Sequence, residues 1–439
     1  MLHAKKKTGL VFFPAFDWAI SPTHPEREER LLYTQDQVFE EGLLDIDGIV
    51  EFKPDLVTIN DVQRVHFCVP DPWAVMTESH FISAGGAKTI GMAVMDGTID
   101  RGFAMVRPPG HHACRVVHGA RGFCNINTEA IMIEYLRRAY GVERIAIVDT
   151  DCHHGDGTQD IYWHDPNTLF ISIHQDGRTL YPGSGFLDEM GGPNAVGTTI
   201  NIPLPPNTSD EGFLYTIKEM VLPILDDFKP QLIINSAGQD NHYSDPITNM
   251  NFSARGYAEL TSLLKPDIAV LEGGYAIEGA LPYVNTGIIL AMAGLDYDHL
   301  SEPDFDYEAY RQSRETTDYI HHLGQKVLNL WDRRESLAET ARAKANSNQR
   351  TRSIYYDTDS IQENQNETIR ICDDCGGALR IQSSANRKQP ILAVHIPVGA
   401  CAACQDQGHK WFETADREQF ANIFLQDRTT DRYLSTHKK

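Results

Sequence analysis

The sequence has no apolar run long enough to cross a membrane. No stretch of its 439 residues approaches the ~18 uninterrupted apolar residues that a transmembrane helix needs. The apolar run that starts at Gly9 follows three lysines, but it ends at Pro14 and no small-residue cleavage site comes after it. We therefore expect a first β-strand instead of a signal peptide, no membrane partner, and a cytoplasmic protein.

The chain is also short of positive charge. Its 39 Lys and Arg residues face 61 Asp and Glu residues, which leaves a net charge of −22. Nucleic-acid binding requires a basic face, so this balance argues against a direct nucleic-acid partner. An excess of acidic residues attracts cationic substrates, although it more commonly reflects a solvated acidic surface. The sequence leaves open whether the chain forms a homo-oligomer.

Cysteines are few, eight in all, and unevenly arranged. Cys68, Cys114, Cys124 and Cys152 are scattered, whereas the other four form two C-x-x-C pairs. In a chain without a signal peptide, this pattern favours thiols and metal ligands over a disulfide framework. We therefore expect a reducing, intracellular compartment.

Apolar, β-branched runs alternate with amphipathic stretches. The runs that predict strands are 9–14, 102–107, 144–149, 168–173, 198–204, 231–236 and 267–271, and the helical candidates include 128–140 and 211–228. Near-continuous hydrophobicity indicates strands buried on both faces, and hence a mostly parallel sheet flanked by helices. The fold class is therefore a doubly wound α/β domain, whose ligands bind beyond the carboxyl ends of the strands.

The last quarter of the chain changes in composition. Residues 316–344 predict a long closing helix, and 346–367 are rich in Asn, Gln, Ser, Thr and Asp, a composition typical of a linker. We therefore divide the chain into a large domain (1–333), a helix end with a polar linker (334–366), and a small cysteine-containing unit with a tail (367–439).

The most informative stretch is Asp149-Thr-Asp-Cys-His-His-Gly-Asp-Gly157. Asp151 and His153 flank one residue at the end of a strand, so their side chains point the same way. A carboxylate and a neutral imidazole are ordinary Zn²⁺ ligands. Asp and His often cap the helix after a strand, but two histidines and three aspartates in nine residues make capping alone an insufficient explanation.

Three further stretches carry chemical groups. In Arg107-Pro-Pro-Gly-His-His-Ala113, two prolines and a glycine present His111 and His112 rigidly, as a general base requires, although an isolated pair would be read as solvated loop histidines. Asp240 follows a predicted buried strand, where an Asp is usually a cap or turn residue. In Glu272-Gly-Gly-Tyr275 the phenol could donate to an oxyanion, although packing is the commoner role of such a tyrosine.

Together with Gly122-Phe-Cys-Asn-Ile-Asn127, these four segments resemble the zinc-dependent histone deacetylases and their bacterial deacetylase-like amidohydrolase relatives. The resemblance covers residues 9–330 in order and approximate spacing. It implies the arginase/deacetylase type of doubly wound fold. One departure lies at His24-Pro-Glu-Arg-Glu-Glu-Arg30, where Glu28 takes the place of a family proline and puts the shape of the rim loop in doubt.

The resemblance implies a single catalytic zinc and two histidine–carboxylate pairs. The implied zinc ligands are Asp151, His153 and Asp240. His111 would pair with Asp149 and His112 with Asp156, each carboxylate fixing the tautomer of its imidazole. His112 is the better candidate for the general base, with His111 electrostatic, and either could protonate the leaving amine.

The resemblance also implies the remaining parts of the site. Tyr275 would stabilise the oxyanion, Phe123 with Gly122 and Tyr181 would wall a narrow acyl-lysine channel, and Asp71 would clamp the substrate at the rim. A potassium ion would bind beside the zinc, through Asp149, the backbone of Asp151 and His153, Ser172, and the backbone of Ile173 or His174.

The two cysteine pairs, Cys372 with Cys375 and Cys401 with Cys404, are separated by 25 residues. Each pair can offer two thiolates to one tetrahedral Zn²⁺, with 391–398 and Trp411–Phe412 as strands of a small zinc-ribbon-like β domain. A segment this small would depend on the metal for its stability. A redox dithiol is the alternative, but it would need a thioredoxin-like βαβ context.

Three other functions compete with lysine deacetylation. An arginase-type enzyme would need two manganese ions, but the His154-Gly155 that follows His153 offers no additional carboxylate for a second metal. An acetylpolyamine amidohydrolase should carry an acid at the pocket mouth, and the family alignment puts apolar Ile247 at a position where polyamine-selective relatives can carry Glu. A non-catalytic acyl-lysine reader is disfavoured by the complete set of ligands, histidines and tyrosine. The sequence therefore favours an acyl-lysine protein or peptide as the substrate.

Overall fold

The computed structural model describes residues 2–303, 305–344, 346, 348–386 and 388–437. In chain order the strands are β1 (His3–Phe13), β2 (Asp47–Phe52), β3 (Phe67–Cys68), β4 (Arg101–Val106), β5 (Val116–Val117), β6 (Ile145–Asp149), β7 (Thr168–Gln175), β8 (Thr199–Leu204), β9 (Leu232–Ala237), β10 (Ile268–Leu271), β11 (Gln349–Tyr356), β12 (Ile361–Ile369), β13 (Leu379–Ala385), β14 (Lys388–Ile396), β15 (Asn422–Asp427) and β16 (Arg432–His437). The α-helices are α1 (Leu32–Glu40), α2 (Ile59–Gln63), α3 (Glu78–Met95), α4 (Thr128–Tyr140), α5 (Asp156–Tyr162), α6 (Asp210–Thr216), α7 (Leu222–Phe228), α8 (Ala254–Leu264), α9 (Leu281–Met292), α10 (Arg314–Asp332), α11 (Arg334–Ala343) and α12 (Ala402–Glu413). Within this part of the chain, no helix is both long and apolar enough to cross a bilayer.

The larger sheet is parallel throughout and has eight strands in the order β2-β1-β4-β10-β9-β6-β7-β8. Helices pack on both of its faces, and two apolar clusters form the core on either side. The predicted doubly wound α/β fold is thus confirmed, and each of the seven predicted strands is present. The predictions missed β2, an edge strand whose side chains are only partly buried.

The order of the central strands positions the functional residues. β4, β10, β9 and β6 are neighbours in the sheet. Because all are parallel, the loops that follow them leave from the same edge. These loops carry the tandem histidines (after β4), the Glu272–Tyr275 segment (after β10), Asp240 (after β9) and the Asp149–Gly157 segment (at the end of β6).

The second sheet has six strands in the order β11-β12-β13-β14-β15-β16, and all neighbours are antiparallel except β14 and β15. Of the predicted helix end and polar linker over 334–366, the helix end is present as α11, but the linker is wrong, because the polar residues that follow form β11 and the start of β12. In β12 every second residue is buried, including Glu363, Gln365 and Glu367. The segment contains many polar residues, and those that point inward form hydrogen bonds and ion pairs. One example is the hydrogen bond that the Tyr356 hydroxyl donates to Glu363 (2.7 Å).

A second correction concerns Trp411 and Phe412, which were predicted to lie in a strand but lie in α12. Cys404 and Gly408 form the buried face of this helix, so the apolar positions follow the helical spacing of four and not the alternation of a strand. Trp411 and Phe412 continue that face at its edge, packed against the cysteine cluster.

The large domain and the C-terminal sheet share two apolar clusters and several charged contacts. Phe67, Val69 and Val116 of the large domain pack with residues of β12–β15, among them Phe424. Ion pairs across the seam include Arg64–Asp431 (2.8 Å), Arg352–Asp160 and Arg428–Glu134. The C-terminal sheet is thus packed against the β3–β5 strand pair and against α4 and α5 of the large domain.

Candidate active site and metal centres

Asp151, His153 and Asp240 converge on one point at the carboxyl edge of the large sheet. One ligand atom of each lies within 4.8 Å of the others, and all three residues are buried. His153 Nδ1 is 2.9 Å from Asp240 Oδ2 and 3.2 Å from Asp151 Oδ1. The nitrogen and both carboxylates therefore face one centre, as three ligands of one metal ion must.

The surrounding backbone holds the two carboxylates in place. Gly273 N–H donates to Asp151 Oδ2 (2.7 Å) and Cys152 N–H donates to Asp240 Oδ1 (2.7 Å). A Cβ on Gly273 would lie only 2.4 Å from Asp240 Oδ2, so glycine is required at this close approach. Two fully buried carboxylates and one imidazole suit a borderline divalent cation such as Zn²⁺, and the residues present therefore fit this ion.

The tandem histidines form the two predicted pairs. His111 Nδ1 is 3.1 Å from Asp149 Oδ2, and His112 Nδ1 is 2.8 Å from Asp156 Oδ1. Because a carboxylate only accepts hydrogen bonds, each Nδ1 donates. Burial disfavours a charge on either ring, but the carboxylates of Asp151 and Asp149 outweigh it at His111 and raise the pKa of that ring well above its ordinary value. At His112, burial and the neighbouring His111 lower the pKa to about 3, against the opposing carboxylate of Asp156. The neutral His112 therefore keeps Nε2 as an acceptor.

Two residues that sequence reasoning assigned no role hold these histidines. Glu272 Oε2 accepts from the backbone N–H groups of Gly110 (2.7 Å) and His111 (3.0 Å), which secures the loop after β4. Burial raises the pKa of Glu272 to about 8. Arg121 forms an ion pair with Asp156 and thereby holds the partner of His112. Glu272 stood within a recognised motif, but nothing in the local sequence marks Arg121.

Tyr275 is almost fully buried, with 8% of its surface exposed. Its backbone N–H donates to Asp245 Oδ2 (2.8 Å), and the guanidinium of Arg30 lies 4.9 Å from its ring centroid. Arg30 in turn donates to the Gly274 carbonyl (2.8 Å) and pairs with buried Glu26 (2.9 Å). The segment in which Glu28 replaces the family proline therefore supports the loop of Tyr275 through Arg30 and Glu26.

Phe123 and Tyr181 each pack against a residue of the candidate site. The Phe123 ring packs edge-on against Tyr275, with centroids 5.5 Å apart, and the Tyr181 ring packs edge-on against His112 at 5.2 Å. Gly122 has a positive φ of +52°, and a Cβ there would meet His112 Cδ2 at 2.3 Å. Only glycine allows the loop to approach the histidine this closely.

The turn between β11 and β12 reaches this channel loop from the C-terminal sheet. Asp357 Oδ1 accepts from the Gly122 N–H (2.9 Å), and Asp359 Oδ2 accepts from the Ala120 N–H (2.7 Å). A Cβ on Gly119 would lie 2.3 Å from Asp359 Oδ2. The sequence had no signal for this contact, because the segment was interpreted as a linker.

The residues predicted to bind potassium lie close to the metal cluster. Asp149 and Ser172 face each other in the register of β6 and β7, with Ile173 next along β7. All three are buried, and the Ser172 hydroxyl lies 2.9 Å from His174 Nδ1. The strands thus place the carboxylate and the hydroxyl of this candidate site together.

The two remaining rim predictions differ in placement. Ile247 is half-buried, and its N–H donates to Asp245 Oδ1 (3.0 Å), the same carboxylate that accepts from Tyr275. Asp71 is exposed and caps a short 3₁₀ helix by accepting from Ala74 N (3.2 Å). It lies beside β15 and β16 of the C-terminal sheet, and no described contact joins it to the metal cluster.

Cys372, Cys375, Cys401 and Cys404 form a second cluster, with all four sulfurs within 4.8 Å of one another. The Cys372 sulfur lies 3.7 Å from those of Cys375 and Cys401. A tetrahedral zinc with bonds of ~2.3 Å separates its sulfurs by ~3.8 Å, so the four thiols fit such an ion. The predicted convergence of the two pairs is confirmed.

A buried Asp-His-Asp cluster flanked by histidine–aspartate pairs, at the carboxyl edge of a parallel sheet, defines a metal-dependent hydrolase. The model of the histone deacetylase domain matches residues 73–290. A "Probable deacetylase" of Archaeoglobus fulgidus is 45% identical over 326 residues, which span 68% of this chain and 89% of that protein. The "Acetoin utilization protein AcuC" of Staphylococcus xylosus is 30% identical over 335 residues, 67% of this chain and 84% of that protein.

A solved structure of the HDA15 HD domain has the same fold, with a TM-score of 0.65, 24% identity, and coverage of 78% of this chain and all of that one. The chain therefore belongs to the histone deacetylase family. Its members are zinc-dependent as a rule, and this protein is a hydrolase that acts on amide bonds.

Proposed function

We propose that the protein hydrolyses the acyl amide of Nε-acyl-lysine in a protein or peptide. The observation that carries this proposal is the convergence of Asp151, His153 and Asp240 beside the two histidine pairs and Tyr275. Family membership supports the deacetylase chemistry. The Phe123 ring packs against Tyr275 and the Tyr181 ring against His112, and such apolar walls beside the reacting groups support an unbranched acyl-lysine chain as the occupant.

The three ligands would hold one Zn²⁺ and leave a coordination position for water or the substrate carbonyl. When bound, the zinc acts as a Lewis acid toward the amide and lowers the pKa of water to roughly 7. Asp151 and Asp240 are fixed by backbone donors, so the site needs little rearrangement to hold the ion. A tightly held site of this kind is what a catalytic metal needs.

His112 would accept the proton of the attacking water at Nε2. Its Nδ1 donates to Asp156, which stabilises the imidazolium that results, and Arg121 holds that carboxylate. His111, between Asp149 and Asp151, would stabilise developing charge and deliver a proton to the leaving lysine amine. Glu272 would keep both rings in place through the backbone of Gly110 and His111.

Tyr275 would donate its phenolic hydrogen to the oxyanion that develops on the substrate carbonyl. Burial raises the pKa of this phenol well above its ordinary value, so the hydroxyl keeps its proton. A donor aimed at a developing oxyanion is typically worth ~10²–10³ in turnover. Arg30 and Asp245 hold the tyrosine loop from two sides.

Further ions belong to the proposal. Asp149, Ser172 and the nearby backbone would bind K⁺, whose charge offsets that of the buried carboxylates. The four cysteines would bind a structural Zn²⁺, and four reduced thiols are consistent with a reducing compartment such as the cytoplasm.

Hydrolysis of acetylated polyamines is the second candidate. An acid near the channel is the feature that would favour it, and Asp357 of the C-terminal sheet lies against the channel loop at Gly122. Such a carboxylate could pair with a second ammonium group of a free cationic substrate. Ile247 is half-buried and apolar at the position where polyamine-selective relatives can carry Glu, and this favours acyl-lysine over acetylpolyamines as the substrate.

The test is a deacylation panel with the zinc-loaded full chain. Acetyl-lysine peptides and acetylpolyamines are compared at equal concentration, each with and without a chelator and a hydroxamate inhibitor. Chelator-sensitive release of acetate from the peptides with a higher kcat/KM than from polyamines is expected. Higher kcat/KM on polyamines would replace the first candidate with the second, and peptide binding without acetate release would overturn both.

A further inference from the structure

The seam between the two sheets contains a cavity of about 500 Å³ that the proposed hydrolysis does not use. Its walls come from both parts of the chain. They include five arginines and no lysine: Arg64, Arg115, Arg137, Arg342 and Arg428. The same walls also carry five carboxylates (Glu134, Glu143, Asp165, Asp373 and Asp374), so the affinity of the cavity for an anion depends on whether any of these arginines lacks a carboxylate partner.

Four of these arginines have carboxylate partners, which are Asp431 for Arg64, Asp165 for Arg137, Asp373 for Arg342 and Glu134 for Arg428. Arg115 differs. Its guanidinium donates only to neutral acceptors, the Ile161 carbonyl and Gln426 Oε1 (3.3 Å), and it lies 3.4 Å from His395 Nδ1, which itself donates to Gln426 Oε1 (2.6 Å). Among the described residues it therefore has no counter-charge in contact.

Arg115 is also deeply buried, with 8% of its surface exposed. A guanidinium stays protonated in proteins, and a buried charge without a partner is costly. Burial lowers the pKa of Arg115, and the more distant Asp160 and Glu134 only partly oppose this effect. The position of Arg115 thus favours the binding of an anion at the cavity wall.

Buried polar groups without partners lie along the same wall. Arg115 Nε, Arg428 Nε and the Tyr162 hydroxyl form no hydrogen bond within the part of the chain that the structure describes. All three can donate. A tetrahedral oxyanion accepts several hydrogen bonds and needs to donate none, and the planar guanidinium matches it in geometry.

The charge along the cavity lining is uneven. Asp373, Asp374 and the Cys372 and Cys375 thiols line the part beside the thiol cluster, which an anion would avoid. An adjoining cavity of about 360 Å³ shares Arg137 and Arg428 with the first and adds the exposed Arg138. Both exposed and buried arginines thus line the two adjoining cavities.

We propose that the part of this cavity lined by Arg115 and Arg428 binds a phosphate-class anion, either inorganic phosphate or the phosphoryl group of a small phosphate ester. The volume accommodates both. Arg115 and Arg428 hold the anion through guanidinium donors, the Tyr162 hydroxyl adds a neutral donor, and Arg138 lies at the entrance. An anion bound there stabilises the contact between the C-terminal sheet and the catalytic domain.

The test is thermal unfolding of the zinc-loaded full chain in phosphate-free buffer. Inorganic phosphate and phenyl phosphate are the two probes, and sodium chloride matches the ionic strength. A ligand at ~100 times its Kd should raise the Tm by about 3 °C. A rise with phosphate alone assigns the free ion, and a larger rise with phenyl phosphate assigns an ester.

Variants separate this site from others on the chain. Arg115→Met should abolish the rise, and Arg138→Gln at the entrance should reduce it. Arg255→Gln, an exposed arginine paired with Asp298 on the catalytic domain, should leave it unchanged. No rise in the wild type with either anion would overturn the proposal, as would an equal rise in Arg115→Met. Should Arg115→Met not fold, an Arg138→Gln response equal to the wild type would overturn it.

Discussion

Replacing Asp357 with alanine should lower deacylation although Asp357 lies on the C-terminal sheet. Its carboxylate accepts from the Gly122 N–H at 2.9 Å, and the ring of the next residue, Phe123, packs edge-on against Tyr275 with centroids 5.5 Å apart. A hydrogen bond to a charged group contributes about 1.5–3 kcal/mol. Its loss changes the balance between the ordered and the displaced loop by ~10-fold or more, because 1.4 kcal/mol corresponds to a factor of ten.

We therefore expect kcat/KM on an acetyl-lysine peptide to fall by ~10-fold in Asp357→Ala, with a smaller fall in Asp357→Asn, which keeps an acceptor but loses the charge. Asp359 anchors the neighbouring Ala120 N–H, so losses in the double variant should not add. Glu413→Gln, on the exposed side of α12, is the matched control. The Tm and the zinc content of each variant are measured alongside, and an unchanged kcat/KM in a folded Asp357→Ala protein would refute the reasoning.

Three other predictions can be checked with the same protein. Tyr275→Phe should keep its zinc but lose ~10²–10³ in turnover, because one donor to the oxyanion is removed. Metal analysis and a peptide deacylation assay measure the two effects, and full activity would contradict the proposed role of Tyr275. Cys372→Ser should lower the bound zinc from two ions per chain to one and lower the Tm, and retention of both ions would exclude the thiol cluster as a metal site. In chelated protein the urea midpoint should fall as the pH rises from about 7 to 8, which is above the range in which buried neutral histidines such as His66 and His174 have the opposite effect. Burial raises the pKa of Glu272 to about 8 and of Glu129 to about 7, so the folded state holds protons that the unfolded chain has released, and stability decreases with pH; a midpoint that rises over this range would contradict the assignment.

The parallel sheet could be predicted because its strands are buried on both faces, which makes them continuous apolar runs. β6 is the clearest case, since all five of its residues are buried. The residues at its carboxyl end could then be placed beside Asp240 and Tyr275 by topology alone, since neighbouring parallel strands end at one edge. The motifs therefore supplied the residues of the site, and the parallel arrangement of the strands supplied the reason for them to converge.

The C-terminal sheet could not be predicted in the same way. In β12 the alternating buried positions include Glu363, Gln365 and Glu367, and their partners lie on other strands or across the seam. A hydropathy pattern registers such positions as exposed. Their burial is energetically acceptable only because Tyr356, Ser383 and several arginines satisfy them, and none of these pairings is visible locally.

The same limit explains which site residues were missed. Arg121 and Asp357 act through contacts with residues distant in sequence or in another sheet, and neither carries a spacing pattern. Glu272 lies within a motif, but its role depends on a hydrogen bond from the loop after β4, whose Gly110 lies 162 residues earlier in the chain. The groups that touch the proposed substrate could be identified from motifs, whereas the groups that hold them required the folded chain.

Two buried regions of this protein have charge that its own side chains do not balance. At the catalytic edge, Asp149, Asp151 and Asp240 lie close together with Glu272 and Asp245, and burial raises the pKa of the last two to about 8 and about 7. Such an excess of carboxylates is the condition under which a buried cation binds strongly. At the seam the sign is reversed, since Arg115 has neutral contacts and Arg428 has a donor without an acceptor. An excess of buried carboxylates indicates a metal site, and by the same physical argument a buried guanidinium with only neutral contacts indicates an anion site. The anion site is the less expected of the two, because the chain as a whole is acidic.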